Sequence, residues 1–86
     1  MLVHIGNDVI IRSREVVAIL DVRAAALSPI TRDFVAYARS QGRLRDLASG
    51  NEKAYVVTPA SVFISPVSVT TLRRRAMFQD DEELHH

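Results

Sequence analysis

The segment Ser65-Pro66-Val67-Ser68-Val69-Thr70-Thr71-Leu72-Arg73-Arg74-Arg75-Ala76 ends a predicted strand and begins a predicted helix. Pro66 ends the strand because proline has no backbone N–H to donate to a neighbouring strand. Ser68 is the expected N-cap of a helix over about residues 69–79, since its hydroxyl can accept from a free N–H of the first turn. Val69, Leu72 and Ala76 recur at helical spacing, so we expect them to line one face of this helix.

The residues before this segment predict an antiparallel meander of short strands. The strand-like runs are Arg43-Leu44-Arg45-Asp46-Leu47, Ala54-Tyr55-Val56-Val57-Thr58 and Ser61-Val62-Phe63-Ile64-Ser65. The first run alternates polar and apolar residues, which is typical of a half-exposed strand and would place Arg43 and Arg45 on one face. Turns are expected at residues 49–52 and at Pro59-Ala60.

A central helix is predicted over about residues 29–41. Ser28 is the expected N-cap and Pro29 occupies the first helical position, while Gly42 suits a left-handed C-terminal cap. Apolar residues recur at the spacing of one helical face, the usual pattern of a helix that packs against a core. They are Ile30, Phe34, Tyr37 and Ala38.

The N-terminal third is expected to be β-rich. Leu2-Val3-His4-Ile5 and Val9-Ile10-Ile11-Arg12 are short β-rich runs that flank Gly6-Asn7-Asp8, and this arrangement indicates a hairpin with positive φ angles at its turn. The apolar run over residues 16–22 predicts a strand covered on both faces, and a short helix from Ser13 is the weaker alternative. In so small a chain, cover on both faces suggests a partner subunit, and residues 24–27 form a connector without a structural signal.

Together these patterns predict an α+β fold in the order βββαβββα. We expect one small β-rich domain over residues 1–79, with antiparallel hairpins, one central helix and one C-terminal helix. Residues 80–86 are predicted to be an acidic, disordered tail. His85 and His86 resemble the remnant of a purification tag and are given no role.

Composition favours an oligomeric cytoplasmic protein. The chain has 86 residues, 48% of them hydrophobic, and no cysteine, so burial against other copies is the expected support for a small core. Neither a signal peptide nor a membrane-spanning segment is predicted. All 11 Lys and Arg residues precede residue 80, whereas Asp80, Asp81, Glu82 and Glu83 follow each other, so a basic body ends in an acidic segment.

The sequence contains no signature of an enzyme. Gly6, Gly42 and Gly50 are too scattered for a phosphate-binding loop. We find neither a His, Asp and Glu set with metal-ligand spacing nor a Ser–His–Asp arrangement. We therefore expect no catalytic activity, no cofactor and no metal ion.

Arginines are the candidate functional residues, because the guanidinium group binds phosphate in a bidentate manner. The candidates for contact with DNA are Arg12, Arg14, Arg43, Arg73, Arg74 and Arg75. Arg12 and Arg14 would project from one strand face, and pairing with Asp8 or Glu15 is an equal alternative. The last three have a structural alternative, since cations are favourable near the C-terminus of a helix. Without a helix-turn-helix pattern, readout of the DNA backbone and shape is expected.

The chain resembles the RemA/RemB family of bacterial extracellular matrix regulators, and the RemB branch most closely. The resemblance covers residues 1–79 in register and is carried by His4-Ile5-Gly6, residues 8–21, Ser28-Pro29-Ile30, Tyr55-Val56-Val57-Thr58, residues 64–68 and residues 71–76.

The resemblance implies a DNA-binding regulator of biofilm matrix genes that assembles into a homo-oligomeric ring. In the RemA branch an arginine pair follows the glycine of the central turn, whereas Asn51 and Glu52 follow Gly50 here. The arginine that precedes the long apolar strand in RemA falls on Glu15, with Arg14 one position earlier. The alternative is therefore a ring-forming adaptor that does not bind DNA itself and acts with a RemA-like paralogue.

Overall fold

Two β-sheets and three α-helices make up the fold. The computed structural model describes the backbone of residues 1–84 and the side chains of residues 1–76. A two-stranded sheet pairs β1 (Leu2–Gly6) with β2 (Val9–Arg12). A four-stranded sheet has the order β3-β5-β6-β4, formed by Ala18–Asp21, Ala54–Val57, Val62–Ser65 and Leu44–Asp46 respectively. The helices are α1 (Val22–Ala26), α2 (Pro29–Ser40) and α3 (Val69–Leu84).

Both faces of the four-stranded sheet are covered by other parts of the same chain. On one face, Val56 packs with Ile5 of the β1–β2 hairpin and with Leu72 of α3 in the larger core cluster. On the other face, Val57 and Val62 pack against Ala38 of α2. The predicted small α+β domain is confirmed.

Ser65 joins the hairpin to the sheet. This side chain is fully buried, and its hydroxyl donates to the Ile5 carbonyl oxygen at 2.6 Å and accepts from the Val67 N–H at 3.0 Å. A buried hydroxyl must be hydrogen-bonded to offset the loss of water, and Ser65 meets this requirement with two partners. Ser65, the last residue of β6, therefore connects the hairpin, the sheet and the segment that leads into α3.

The meander was only partly predicted. β5 and β6 form the expected antiparallel pair, but β4 pairs with β6 in parallel, with Leu44 opposite Val62 and Asp46 opposite Ile64. β4 and β5 are adjacent in sequence and not in the sheet. The chain therefore crosses from β4 to β5 past β6, a connection that no local turn signal reveals.

The predicted strand over residues 16–22 is wrong at both ends. β3 begins at Ala18 and ends at Asp21, and residues 13–15 form a 3₁₀ helix. Residues 22–26, expected as a strand end and a connector, form α1. The Asp21 carboxylate caps this helix by accepting from the Arg23 N–H at 2.8 Å, and the alanines that follow are strong helix formers. Cover on both faces of β3 comes from the chain itself and needs no partner subunit.

The bounds and the cap of α2 were predicted correctly. The Thr31 N–H donates to Ser28 Oγ at 3.3 Å, and Gly42 takes the expected left-handed conformation with φ +70°. The predicted core-facing stripe is only partly correct. Ala38 is buried as expected, whereas Ile30 is 82% exposed and Tyr37 is 60% exposed. Val35, which was not in the predicted stripe, also faces the core.

The last helix starts where the sequence predicted and ends later. The Thr71 N–H donates to Ser68 Oγ at 3.2 Å, while Leu72 and Ala76 are buried. α3 then continues to Leu84, past the predicted end at residue 79 and through the acidic segment. His85 and His86 lie outside the described residues, and the domain boundary at residue 79 stays a prediction.

No helix in the part of the chain that the structure describes is long and apolar enough to span a membrane.

Candidate nucleic-acid interface

Arg73, Arg74 and Arg75 lie on the exposed side of α3. Successive residues of an α-helix are separated by about 100°, so the three side chains diverge and do not form one binding site. Arg75 has a structural partner, because its Nη1 donates to the His4 carbonyl oxygen at 2.6 Å. Arg73 and Arg74 are therefore the stronger candidates for contact with a ligand.

Arg75 donates a hydrogen bond to a backbone carbonyl group on the edge of β1 that does not pair with β2. The Ser13 N–H donates to the Met1 carbonyl oxygen at 2.9 Å, so Met1 directs its backbone groups towards β2. Backbone groups of alternate residues in an antiparallel pair point to opposite sides. With His4 opposite Ile10 and Leu2 opposite Arg12, the His4 carbonyl falls on the side away from β2. Arg75 thus fixes α3 against the hairpin.

Replacement of Arg75 by alanine is expected to lower the free energy of unfolding by about 1 kcal/mol, since it removes a charged hydrogen bond at an exposed site. Chemical denaturation monitored by circular dichroism measures this change. Arg74→Ala, one position away, is the matched control and should leave the unfolding free energy nearly unchanged. Equal loss of stability in the two variants would contradict the structural role of Arg75.

Arg12 and Arg14 do not share a strand face, so this part of the prediction is wrong. β2 ends at Arg12, which is exposed on the outer face of the hairpin. Arg14 is exposed in the 3₁₀ helix that follows. The two guanidinium groups therefore leave the backbone from different local structures, although both remain accessible.

Arg43 and Arg45 flank the start of β4. Arg43 precedes the strand and is half-buried. Its backbone N–H donates to the Ala38 carbonyl oxygen at 2.9 Å. Arg45 is exposed and lies opposite Phe63 of β6. Arg43 is therefore the least accessible of the six candidates.

The central turn is held in a defined shape by Asp46. Its carboxylate accepts from the Ala48 N–H at 2.8 Å and from the Ser49 N–H at 3.3 Å. Ser49 and Gly50 both take positive φ angles, of 51° and 91°. The turn then presents Asn51 and Glu52 to solvent.

A cleft of about 280 Å³ lies beside this turn, and we call it the turn cleft. It brings together two cations that sequence analysis did not select, Arg23 of α1 and Lys53. Asp21 and Glu52 line the same cleft and balance their charge. The remaining lining residues are Asn51 and the start of α3, Ser68 and Val69. The sequence analysis did not bring these residues together, because it did not predict α1.

Metal-ligating groups are not assembled anywhere among the described side chains. No cluster of three or more His, Cys, Asp or Glu residues within residues 1–76 could hold a metal ion. Among the described side chains, the exposed arginines are thus the main groups that could bind a ligand, and an anionic ligand is the kind they suit.

Comparison with known proteins identifies the family. The family model for RemA-like proteins, described as extracellular matrix regulatory protein A-like, matches residues 2–76. The chain belongs to the RemA-like family. It is also 33% identical over 78 residues to extracellular matrix regulatory protein B of Bacillus subtilis (strain 168), across 91% of this chain and 93% of that protein. The resemblance seen in the sequence, and its direction towards the B branch, are confirmed.

All six candidate arginines lie inside the region that matches the RemA-like model, and so does the central turn. The acidic residues Asp80 to Glu83 lie beyond its end at residue 76. The RemA-like proteins are a family of regulatory proteins by description, and this description names no enzymatic reaction.

Proposed function

We propose that the protein is a DNA-binding transcriptional regulator of extracellular matrix (biofilm) genes. It acts in the cytoplasm as a homo-oligomeric ring, without catalytic activity, cofactor or metal ion. The observation that carries the proposal is membership of the RemA-like family over residues 2–76, the region that contains every candidate arginine. Contact is with the phosphate backbone of the duplex.

The distribution of arginines supports binding to a polyanion. Five of the candidates are exposed: Arg12, Arg14, Arg73, Arg74 and Arg75. A single copy offers few phosphate contacts, and each adds only a modest gain from counterion release. Several copies in one assembly raise the effective concentration of these contacts along a duplex, so oligomerisation supplies the missing affinity.

An exposed apolar surface on α2 supports assembly with other copies. We call it the α2 stripe, and it consists of Ile30, Phe34 and Tyr37, which recur at the spacing of one helical face. Ile30 is 82% exposed, and Leu27, at the end of α1, is 86% exposed. Three large apolar side chains exposed on one face of one helix are typical of an interaction site.

A second function is favoured by the central turn. In the RemA branch, which this chain resembles, an arginine pair follows the glycine of the central turn. Asn51 and Glu52 occupy these positions here, and the carboxylate of Glu52 would repel phosphate. In this alternative the protein is a ring-forming adaptor that acts with a RemA-like paralogue and does not bind DNA. The two functions differ in one measurable property, the affinity of the purified protein for duplex DNA.

The salt dependence of DNA binding tests the role of Arg73 and Arg74. If these side chains contact phosphates, Arg73→Ala/Arg74→Ala should reduce the slope of log affinity against log salt by about 1 to 2 for each copy in contact with the duplex, because each lost phosphate contact removes about one counterion. Fluorescence anisotropy with a labelled duplex gives the slope. Arg45→Ala removes an exposed arginine outside the candidate set and should retain the slope of the unmodified protein. An unchanged slope in the double variant would rule out phosphate contact by Arg73 and Arg74.

A further inference from the structure

A groove between the two N-terminal helices has an apolar floor and two basic side chains at its rim. We call it the α1–α2 groove, and its volume is about 280 Å³. Val22 and Ala25 of α1, Val35 and Ala36 of α2, and Tyr55 of β5 form the floor. Arg32 and Arg39 line the same groove from α2, and both are exposed. Residues seven positions apart lie on nearly the same side of a helix, so the two guanidinium groups face one ligand.

This groove is separate from the α2 stripe. Arg32 and Tyr37 differ by five positions, which places them about 140° apart around the helix. Ala38, which does not line the groove, is fully buried in the core between the groove and the stripe. α2 therefore carries two independent surfaces, one apolar and one that combines apolar and basic groups.

The C-terminal segment has the chemistry that suits the groove. Asp80, Asp81, Glu82 and Glu83 are consecutive acids, and Leu84 follows them. α3 reaches this segment as one helix that ends at Leu84, and Ala76, the last residue whose side chain the structure describes, is buried. At about 1.5 Å per residue, the helix extends roughly 12 Å past Ala76. The four acids thus lie about one to two helical turns beyond Ala76.

The segment cannot reach the groove of its own copy. α3 begins beside α1, since Val69 lines the turn cleft together with Arg23. By Arg75 the helix has reached β1, on the other side of the sheet from α2. A continuous helix cannot turn back from there to the α1–α2 groove. The acidic end of α3 can therefore meet an α1–α2 groove only in another copy.

We propose that the acidic end of α3, residues 80–84, docks in the α1–α2 groove of a second copy of this chain. Carboxylates of the segment pair with Arg32 and Arg39, and Leu84 suits the apolar floor. Because the donor and the acceptor surfaces differ, the contact is head-to-tail and repeats around a closed ring or along an open chain. This inference rests on the proposed homo-oligomer and names one of its subunit contacts.

Disulfide trapping on the full-length protein tests this contact directly, because the chain has no cysteine of its own. An Ala36→Cys variant and a Glu82→Cys variant are mixed under mild oxidation, and the disulfide between residues 36 and 82 is quantified by peptide mass spectrometry. Ala60→Cys replaces Ala36→Cys in the control, since Ala60 is exposed and does not line the groove. A further arm adds Arg32→Glu/Arg39→Glu to the Ala36→Cys partner. The last arm combines this reversed groove with Asp80→Lys/Asp81→Lys/Glu83→Lys in the Glu82→Cys partner.

We expect the disulfide between residues 36 and 82 to form in large excess over the disulfide between residues 60 and 82. Reversal of the groove charges should lower its yield about tenfold, as for the loss of two partly exposed ion pairs, and reversal of both partners should restore it. Equal yields at residues 36 and 60, or a yield unaffected by charge reversal, would overturn the proposal. The affinity of the unmodified protein for DNA is measured in a separate experiment. DNA binding without formation of the disulfide would contradict the proposed subunit contact alone. Formation of the disulfide without DNA binding would contradict the proposed DNA-binding function alone.

Discussion

Replacement of Gly6 by alanine should lower the free energy of unfolding by about 3 kcal/mol or more, a large part of the stability of a domain this small. Gly6 has φ +121°, a conformation that residues with a side chain rarely adopt. A Cβ atom at this position would lie 2.7 Å from Cδ and 3.0 Å from Cγ of Pro66. Both the backbone and the available space therefore require glycine.

The neighbours of Gly6 cannot move aside at low cost. Pro66 has a rigid ring and follows Ser65, whose hydroxyl is bonded to the Ile5 carbonyl oxygen. A shift of Pro66 would also displace Ser65 and strain this buried hydrogen bond, which joins the hairpin to the sheet. The close approach of Gly6 to Pro66 thus couples the first turn of the chain to the segment that starts α3.

Urea denaturation of the Gly6→Ala variant measures this cost, and Gly50→Ala is the matched control. Gly50 also has a positive φ, of 91°, but an added Cβ there meets no atom within 4 Å. The control therefore carries backbone strain without a steric clash, and we expect a loss of about 1 kcal/mol. If Gly6→Ala were no less stable than Gly50→Ala, the packing of the hairpin against Pro66 would be wrong.

A double substitution in the α2 stripe should convert the proposed oligomer to a monomer. In Ile30→Lys/Tyr37→Lys, two exposed apolar side chains become charged, so the folded monomer loses little. Each side chain buried at a subunit contact contributes about 1.5 kcal/mol or more, and self-association should weaken by more than about 100-fold. Sedimentation velocity at micromolar concentration measures the mass of the assembly.

Ser40→Lys is the control for this experiment, because it adds a cation to the same helix at an exposed position outside the stripe. We expect the control to retain the mass of the unmodified protein. Circular dichroism should show the same helix content in all three proteins. A double variant that sediments with the unmodified oligomer would show that the α2 stripe is not a subunit contact.

Local features of the fold were predictable because their causes are local. Ser28 and Ser68 cap their helices as expected, since a cap depends on a hydroxyl and the next turn. The hairpin turn was predictable for a similar reason, as Gly6 and Asn7 take the positive φ angles expected of them. α1 was missed although Asp21 and three alanines signalled it, because the apolar run before it was interpreted as one long strand.

The remaining features depend on contacts between distant residues. The parallel pairing of β4 with β6 has no local signal, because it is set by the route of the chain over the sheet. The spacing of Ile30 and Tyr37 predicted an apolar helix face, but spacing alone cannot distinguish a face that packs in the core from a face that stays exposed. Arg75 was selected for its charge, and its bond to the His4 carbonyl oxygen became visible only when α3 was placed beside β1.

The sequence identified the candidate arginines by residue type, but it did not predict where they lie relative to one another. All six arginines were selected from the sequence, yet they diverge over the hairpin, the 3₁₀ helix, β4 and α3. Arg23 and Lys53 were overlooked, since their proximity depends on the turn cleft. A scattered set of cations on one copy fits backbone binding by a repeated assembly better than it fits base recognition by a monomer.

Duplex binding by a sample of known oligomeric mass is the most direct test of a DNA-binding regulator. Light scattering establishes the mass, and the affinity for a labelled duplex is then measured from low to physiological salt. We predict an oligomer whose affinity for DNA falls steeply as the salt concentration rises. The slope of log affinity against log salt should correspond to more phosphate contacts than one copy can make. A stable oligomer without affinity for any duplex at low salt would contradict DNA binding and favour the adaptor.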